Sequence, residues 1–594
     1  MRTGKNSLLM ATMLFLAASV VSAQPKANAA DTANTALHTL FDEYWQDQLR
    51  FYPTWGTYLG DKRYDSLLDD VSSEARLQIE TAYRGYLDRL KKFDKNSLSA
   101  EDRVSVGILE LKINESFDTD KFKTYTMPIS QQGGPHIDFP GLLSIITFQT
   151  TLDYQNFFRR MQAFPNQIDQ TIANMREGMS LGLVSSKVNI EPVVAQIESF
   201  IVSNAPKSVF FEPIQKNEGK LDFDEIEMWA DSYDKAIMES VVPAYVKLKD
   251  FIVNEYLPKC RAEFGVWSFA DGKERYNWLI KRHTTLALNP DDIAKTGLAE
   301  LEKIHADMDA IIAKVGFKGS RTEFMDYLHK EPKFYYTTAD SLIAGYDKIL
   351  RDVEKRTAQL FGILPNAKCE VKEIEAYRAA DAPTAYYSGA AEDGSRPGYF
   401  YANTYMLETR PKYEMEALTY HEAIPGHHLQ GSIAQELEGI PEFRKNEWFT
   451  AYGEGWALYS EQLPKEMGLY TDPYSDFGRL IYDAWRAARL VVDVGLHYHK
   501  WDRQRAIDFM KENFGGTEHN IVNEVDRYIA DPGQALGYKI GQLKIRELRA
   551  RAEKELGAAF KITEFHDQIL NSGSVPLEVL EEKINNWIAG KRTS

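Results

Sequence analysis

The densest chemistry in the chain lies at His421, Glu422, His427 and His428, four metal-binding or ionisable side chains within eight positions. A His-Glu pair at the end of a helix sets a metal ligand beside a carboxylate base. A second imidazole four residues on would share the helix face and close on the same ion. That position holds Pro425, and the next histidines stand six and seven residues after His421. On a straight helix His427 would be turned by roughly 120° from His421, and His428 would sit about 10 Å further along the axis. Neither could share an ion with His421. Pro425 excludes the straight helix, because it has no N–H for the His421 carbonyl and its ring clashes with that carbonyl. Gly426 allows a backbone that other residues resist. Two residues looped out across Ile424–Gly426 bring His427 back to the His421 face, and a three-residue loop would bring His428 there instead.

Zinc takes three protein ligands at a catalytic site and keeps a fourth position open. Glu454 is the expected third ligand. It lies between Gly453 and Gly455, which let the backbone approach closely, with Trp456 and Tyr459 beside it. Glu461, seven residues on, shares its helix face and could hold a histidine ligand from behind.

The elements around these residues read as helices. The runs 37–52, 101–117 and 340–363 place apolar residues three and four apart with charges between them. Breaks are expected at 130–141, 210–220 and 390–398, where Gly, Pro and polar residues cluster. Strand patterns are few: 369–377 alternates apolar and charged residues, and 398–407 is aromatic-rich behind a Gly-Ser-Arg-Pro-Gly turn. A small sheet beside the metal helix, inside a mainly α protein, is therefore expected. Residues 36–365 read as a helical N-terminal lobe and 366–594 as a metal-binding lobe of the same unit.

Residues 1–23 carry Arg2 and Lys5, an apolar stretch from Leu8 to Val21, and a small-x-small site at Val21–Ala23, the pattern of a bacterial signal peptide. Lipid anchoring would need a cysteine after the cut, where Gln24 stands, and no later run is apolar enough to span a bilayer. The polar, Ala-rich segment 24–35 is expected to be disordered, and the mature chain to be periplasmic. The chain of 594 residues carries 70 basic against 87 acidic residues, a net charge of −17, which argues against nucleic-acid and anionic-membrane partners. Cys260 and Cys369 have no metal-site spacing and are expected as buried thiols or one disulfide. No Gly-x-Ser-x-Gly elbow and no cysteine beside the histidines supports serine or cysteine hydrolysis.

His-Glu-x-x-Pro-Gly-His-His at 421–428, with the stretches 451–463 and 527–543, resembles a bacterial family known as a domain of unknown function that often carries secretory leaders. That family is similar to the helical zincin peptidases, among them the thimet oligopeptidase, angiotensin-converting enzyme and carboxypeptidase Taq groups. The chain departs from their His-Glu-x-x-His by two inserted residues. The resemblance implies a zincin-like helical fold with a deep cleft, a zinc cofactor and a peptide substrate. It also implies that Glu422 takes a proton from the metal-bound water and passes it to the leaving amine. A donor tyrosine in a glycine-flanked downstream stretch would stabilise the oxyanion; Tyr538 fits best, with Tyr528 and His497 as weaker candidates. Substrate would pair with the strand holding Tyr401 and Asn403, the latter bonding its backbone. Arg396, Arg486 and Arg489 are candidates for a substrate carboxylate, the last two also reading as surface or salt-bridged residues. The rival expectations are a zinc amide hydrolase acting on cell-wall or other non-peptide amides, and a binding protein that has lost catalysis.

Overall fold

The computed structural model describes residues 29–593 except 218, 375–378, 380–382 and 391–395. Helix makes up 71% of the chain and strand 3%, so the protein is mainly α with one small sheet. The expected signal peptide of 1–23 lies outside the described residues. Part of the segment expected to be disordered is helical: the first helix begins at Ala29 and runs to Phe51. Its Ala-rich composition, read as disorder, is also the best composition for a helix.

The first two patterned runs form helices where expected, and in the third the helix ends at Glu354, with only a short 3-10 turn at Thr357–Gln359 after it. Ser99 caps the helix Ala100–Lys121 by accepting from Asp102 N–H, and Thr338 caps Ala339–Glu354 by accepting from Ser341 N–H. Within the expected break at 130–141, Pro135–Gly141 forms a short helix with Pro135 at its start.

The main apolar core joins Leu37, Leu40, Tyr83 and Leu109 to Phe400, Leu429, Trp456 and Ile584, so it gathers residues from both sides of position 365. A second core, from Ile129 to Tyr256, belongs to the N-terminal helices alone. A third is built on the long helix Pro473–His497, the arginine helix below, and on Pro290–Lys314 packed against it. No helix among the described residues is long and apolar enough to cross a membrane.

The sheet has three strands: β1 Cys369–Glu373, β2 Ala385–Ser388 and β3 Gly398–Ala402, in the order β1-β3-β2. β3 runs parallel to β1 and antiparallel to β2. This corrects the expectation that substrate adds to the strand carrying Tyr401 and Asn403. That strand is central, and both of its edges are already paired. The outer strand on the side of the helix Lys412–Glu422 is β2, whose four residues are too short to show a pattern. Cys260 and Cys369 are free thiols, so no disulfide joins them; burial pushes each thiol up to about 12.

Candidate metal centre

The helix that carries the first histidine, Lys412–Glu422, stops one residue after His421, and a second helix, His427–Glu436, starts at the second. The chain turns between them at Ala423–Gly426, as the proline requires. His428 N–H donates to Ala423 O at 3.1 Å, one residue beyond the α-helical partner, and so closes the loop. Trp456 Nε1–H and Ser460 O–H both donate to Pro425 O, at 3.0 and 3.2 Å, satisfying a carbonyl that the broken helix leaves open. Both donors lie on the glutamate helix, Thr450–Ser460. The same contacts that stabilise the break therefore fix the helix bearing Glu454 against it. Gly426 sits against the His421 backbone so closely that a side chain there would overlap the His421 carbonyl.

The outcome is a convergence of three side chains. The ligand atoms of His421, His427 and Glu454 lie within 4.8 Å of one another. His421 Nε2 and His427 Nε2 are each 3.5 Å from Glu454 Oε2, and their rings stand perpendicular with centroids 5.0 Å apart. Zinc bonds of about 2.1 Å in a tetrahedron would separate ligand atoms by roughly 3.4 Å, close to those two distances. Glu454 Oε2 is buried and has no hydrogen-bond partner, an expensive state for a carboxylate unless a cation completes it. The residues thus fit a metal ion by distance and donor set.

Electrostatics point the same way. Burial opposes a charge on His421, but the Glu454 and Glu461 carboxylates outweigh it and push the imidazole up to about 9. Burial likewise opposes charge on Glu454, yet the two imidazoles hold its carboxyl well below the usual range. The pocket favours positive charge at its centre. Glu461 Oε1 lies 2.8 Å from His421 Nδ1, both groups buried, so Nδ1 carries the proton and Nε2 is left to face Glu454. Glu422 is half-buried beside them; burial raises its pKa, and the neighbouring imidazoles act against that rise.

Tyr538 stands on a third element, the tyrosine helix Leu536–Leu556. Its hydroxyl pKa is raised by burial and then by the field of Glu454, with Arg489 and Arg527 acting against the rise. The two helices cross in backbone contact: a Cβ on Gly455 would lie 2.5 Å from Gly541 Cα, and one on Gly541 would lie 1.8 Å from Ala451 O. Lys539, fully buried, ties the tyrosine helix to Asp483 at 2.7 Å and Glu300 at 3.2 Å.

Other expected site residues have different roles. His428 turns away from the cluster: its Nδ1 accepts from the Tyr387 hydroxyl of β2 at 2.9 Å, and its Nε2–H donates to Ala367 O at 3.1 Å. Burial pushes it down to about 4, so it is a neutral strut between helix and sheet. His497 is not a donor at the centre. Its Nδ1 accepts from Val266 N–H and its Nε2–H donates to Tyr528 O, and burial pushes it down to about 3. The Tyr528 hydroxyl is consumed too, accepting from Trp485 Nε1–H and Arg489 Nε–H while donating to Glu524. Asn403 is buried and donates to Ala379 O and Pro383 O, so it braces a turn and does not meet substrate backbone. Tyr401 stacks on Tyr386 of β2, centroids 4.8 Å apart. Arg396 is exposed near the Tyr399 ring. Arg486 and Arg489 are buried, correcting the surface alternative: Arg486 Nη2 lies 3.9 Å from Glu461, and Arg489 pairs with Glu524 and stacks against Tyr538 and Trp485.

A family described as "Bacterial protein of unknown function (DUF885)" matches residues 53–584. The chain belongs to that family. The DUF885 match spans every residue of the centre. Among solved structures, one described as a "putative lipoprotein" from Colwellia psychrerythraea is 28% identical, with a TM-score of 0.88 over 94% of this chain and 100% of that one. A second, a "putative lipoprotein of unknown function" from Shewanella oneidensis, is 17% identical with a TM-score of 0.70 over 92% and 99%. At that identity it shows the DUF885 fold alone. No curated protein matches the chain.

A cavity of about 850 Å³ does not include His421, His427 or Glu454. It opens beside Asp531 and Pro532, on the turn leading into the tyrosine helix, and shares Trp55, Asp69 and Arg282 with a second cavity of about 450 Å³. The second cavity ends at Asn446 and Glu447, next to a residue not singled out in the sequence. That residue, Trp448, lies 5.8 Å from the His427 ring. Its indole sits among other aromatic residues just before the glutamate helix, and its type alone carries no mark of a site.

Proposed function

We propose that this protein is an exported zinc-dependent peptidase with His421, His427 and Glu454 as its metal ligands. The supporting observation is the convergence of the three ligand atoms on a buried Glu454 oxygen that has no hydrogen-bond partner. Two imidazoles and one carboxylate with an open position form a donor set of catalytic zinc. Zinc bound there supplies a Lewis acid that acidifies water and polarises a carbonyl.

The chain's own groups do the remaining work. Glu461 holds the His421 Nδ1 proton and fixes the ring with Nε2 turned inward. Glu422 accepts the proton of the attacking water and returns it to the leaving amine. Burial raises its pKa, which brings the carboxylate nearer to the value that such shuttling needs at neutral pH. Tyr538 donates its hydroxyl hydrogen to the oxygen that gains charge, with the buried Arg489 cation 4.5 Å from its ring. Export rests on the leader-like residues 1–23 and on the description of both structural neighbours as a "putative lipoprotein".

The test is elemental analysis of untagged protein combined with a peptide and muropeptide cleavage screen of the parent and of Glu422→Gln. About one zinc per chain in both, with turnover on peptides lower by about 10³-fold or more in the variant, is expected. Near-normal turnover in Glu422→Gln would remove the base from the mechanism. Cleavage confined to muropeptides would replace the peptidase with a cell-wall amide hydrolase.

A further inference from the structure

The helix Gly272–Thr284 lays one face along the cavity of about 850 Å³, contributing Arg275, Trp278, Leu279 and Arg282, which neighbour one another on one side of a helix. Arg275 is neutralised there. Its guanidinium donates to both oxygens of Asp271, at 3.2 and 3.0 Å, and to Phe122 O at 2.8 Å. Arg282 has no such partner. It lies 5.4 Å from the Trp278 ring, and among the described residues no carboxylate comes within 4 Å of it.

Two carboxylates of the same wall are unmatched in the opposite sense. Asp69 is held by Thr54, which donates its N–H at 3.0 Å and its O–H at 2.7 Å, and Asp138 accepts from Gly134 N–H at 3.1 Å. Among the described residues neither has a cation within 4 Å, and Arg160 acts on Asp69 only through its field. Burial raises the pKa of both, and the charge of Asp69 adds to the rise at Asp138. A cation beside them relieves both.

Unpaired charges are ordinary on an open surface, but Asp69 and Arg282 also line the adjoining cavity of about 450 Å³, so both stand where two chambers meet. Trp55 is shared as well and stands nearly perpendicular to Trp45, ring centroids 5.2 Å apart, an aromatic surface that suits an ammonium group or an apolar body. Other charges of the two chambers are engaged: Arg261 donates to the carbonyls of Val184, Glu263 and Gly265, Asp531 lies 3.7 Å from His283, and Lys112 pairs with Glu447 and Glu115.

We infer that the two cavities form a binding site for a small zwitterionic ligand, an amino acid or a short peptide with free ends, whose ammonium group sits at Asp69 and Asp138 and whose carboxylate sits at Arg282. A guanidinium matches a carboxylate with two parallel hydrogen bonds. The site includes none of His421, His427 and Glu454, so it stands whether or not the metal centre cuts peptides.

The test is calorimetry on the full chain carrying Glu422→Gln, which guards against cleavage of the probes. The probes are phenylalanine and Ala-Phe-Ala, each with free ends, with an acetylated N-terminus and with an amidated C-terminus. At least one should bind about tenfold more tightly with both ends free than with either end blocked. Binding of phenylalanine alone assigns the site to amino acids, and binding of the tripeptide alone assigns it to peptides. Asp69→Asn should abolish the preference for a free ammonium and keep that for a free carboxylate, and Arg282→Gln should do the opposite. If a thermal melt shows Asp69→Asn unfolded, Asp138→Asn takes its place with the same expectation. No binding of either probe, a blocked end that costs nothing, or a preference that survives its own variant overturns the inference.

Discussion

Replacing Gly426 by alanine tests the geometry on which the centre depends. Gly426 stands at φ −78° and ψ −130°, and the contacts of an added Cβ are severe. A Cβ would stand 1.8 Å from His421 O, 2.5 Å from His421 C and 2.5 Å from Tyr420 O. All three are backbone atoms, and no side chain can rotate out of the way. To reach a tolerable separation of about 3 Å, the end of the first histidine helix and the start of the second must part by roughly 1 Å or more. Metal ligands tolerate only about 0.2 Å. Zinc affinity should therefore fall by at least about 100-fold, more than the loss of one outer hydrogen bond typically causes. Overpacking should cost global stability only about 1–3 kcal/mol. Competition against a chromophoric chelator measures the affinity, and a thermal melt shows whether the variant is folded. A folded Gly426→Ala protein with zinc affinity within threefold of the parent would refute the claim that this contact sets the ligand spacing.

Three further outcomes are expected. Glu461→Gln should weaken zinc binding by about 10–100-fold, because an amide holds the His421 ring less firmly than a carboxylate; unchanged affinity by equilibrium dialysis would remove Glu461 from the centre. His427→Ala should release zinc, whereas His428→Ala should keep it and lose about 1–3 kcal/mol in urea unfolding, from the unpaired Tyr387 hydroxyl and Ala367 carbonyl; the reverse pattern would shift the register of the second helix. Asp493 is buried, accepts from Tyr276 O–H and Gly533 N–H, and is pushed up to about 7 by burial. The folded state then binds this proton more tightly than the unfolded one, so the contribution is complete below about pH 4 and falls by up to about 4 kcal/mol as pH rises to 7. Urea midpoints of Asp493→Asn should lack that decline, and a variant as pH-dependent as the parent would exclude the carboxyl as its source.

Sequence marked the two histidines more clearly than the sheet, and the reasons are local. Pro425 forbids one specific hydrogen bond, so its effect on the helix can be worked out without tertiary information. Glu454 stands between glycines, and one of them, Gly455, is where the crossing with Gly541 occurs. β2 escaped because four residues cannot display an alternation, and only its pairing with β3 makes it a strand. Asn403 was misjudged because its amide serves the carbonyls of Ala379 and Pro383, 24 and 20 residues earlier, a tertiary contact that no local pattern announces. His497 and Tyr528 have the right chemistry, but their polar atoms bond to each other's surroundings in a buried network that no spacing announces. The helix at Ala29–Phe51 began earlier than its apolar pattern, whose first residue is Leu37.

The backbone contact at Gly455 and Gly541 has a mechanical consequence. Helices separated by side chains can slide or roll, since rotamers absorb the motion. Where Ala451 O and Gly541 meet with no side chain between them, there is no such bearing surface. The helix of Glu454 and the helix of Tyr538 are in effect one girder, further bolted by Lys539 to Asp483 and Glu300. Sliding between these two helices is opposed at that contact, so relative movement of the elements is easier where side chains separate them, as along the cavities bounded by the N-terminal helices.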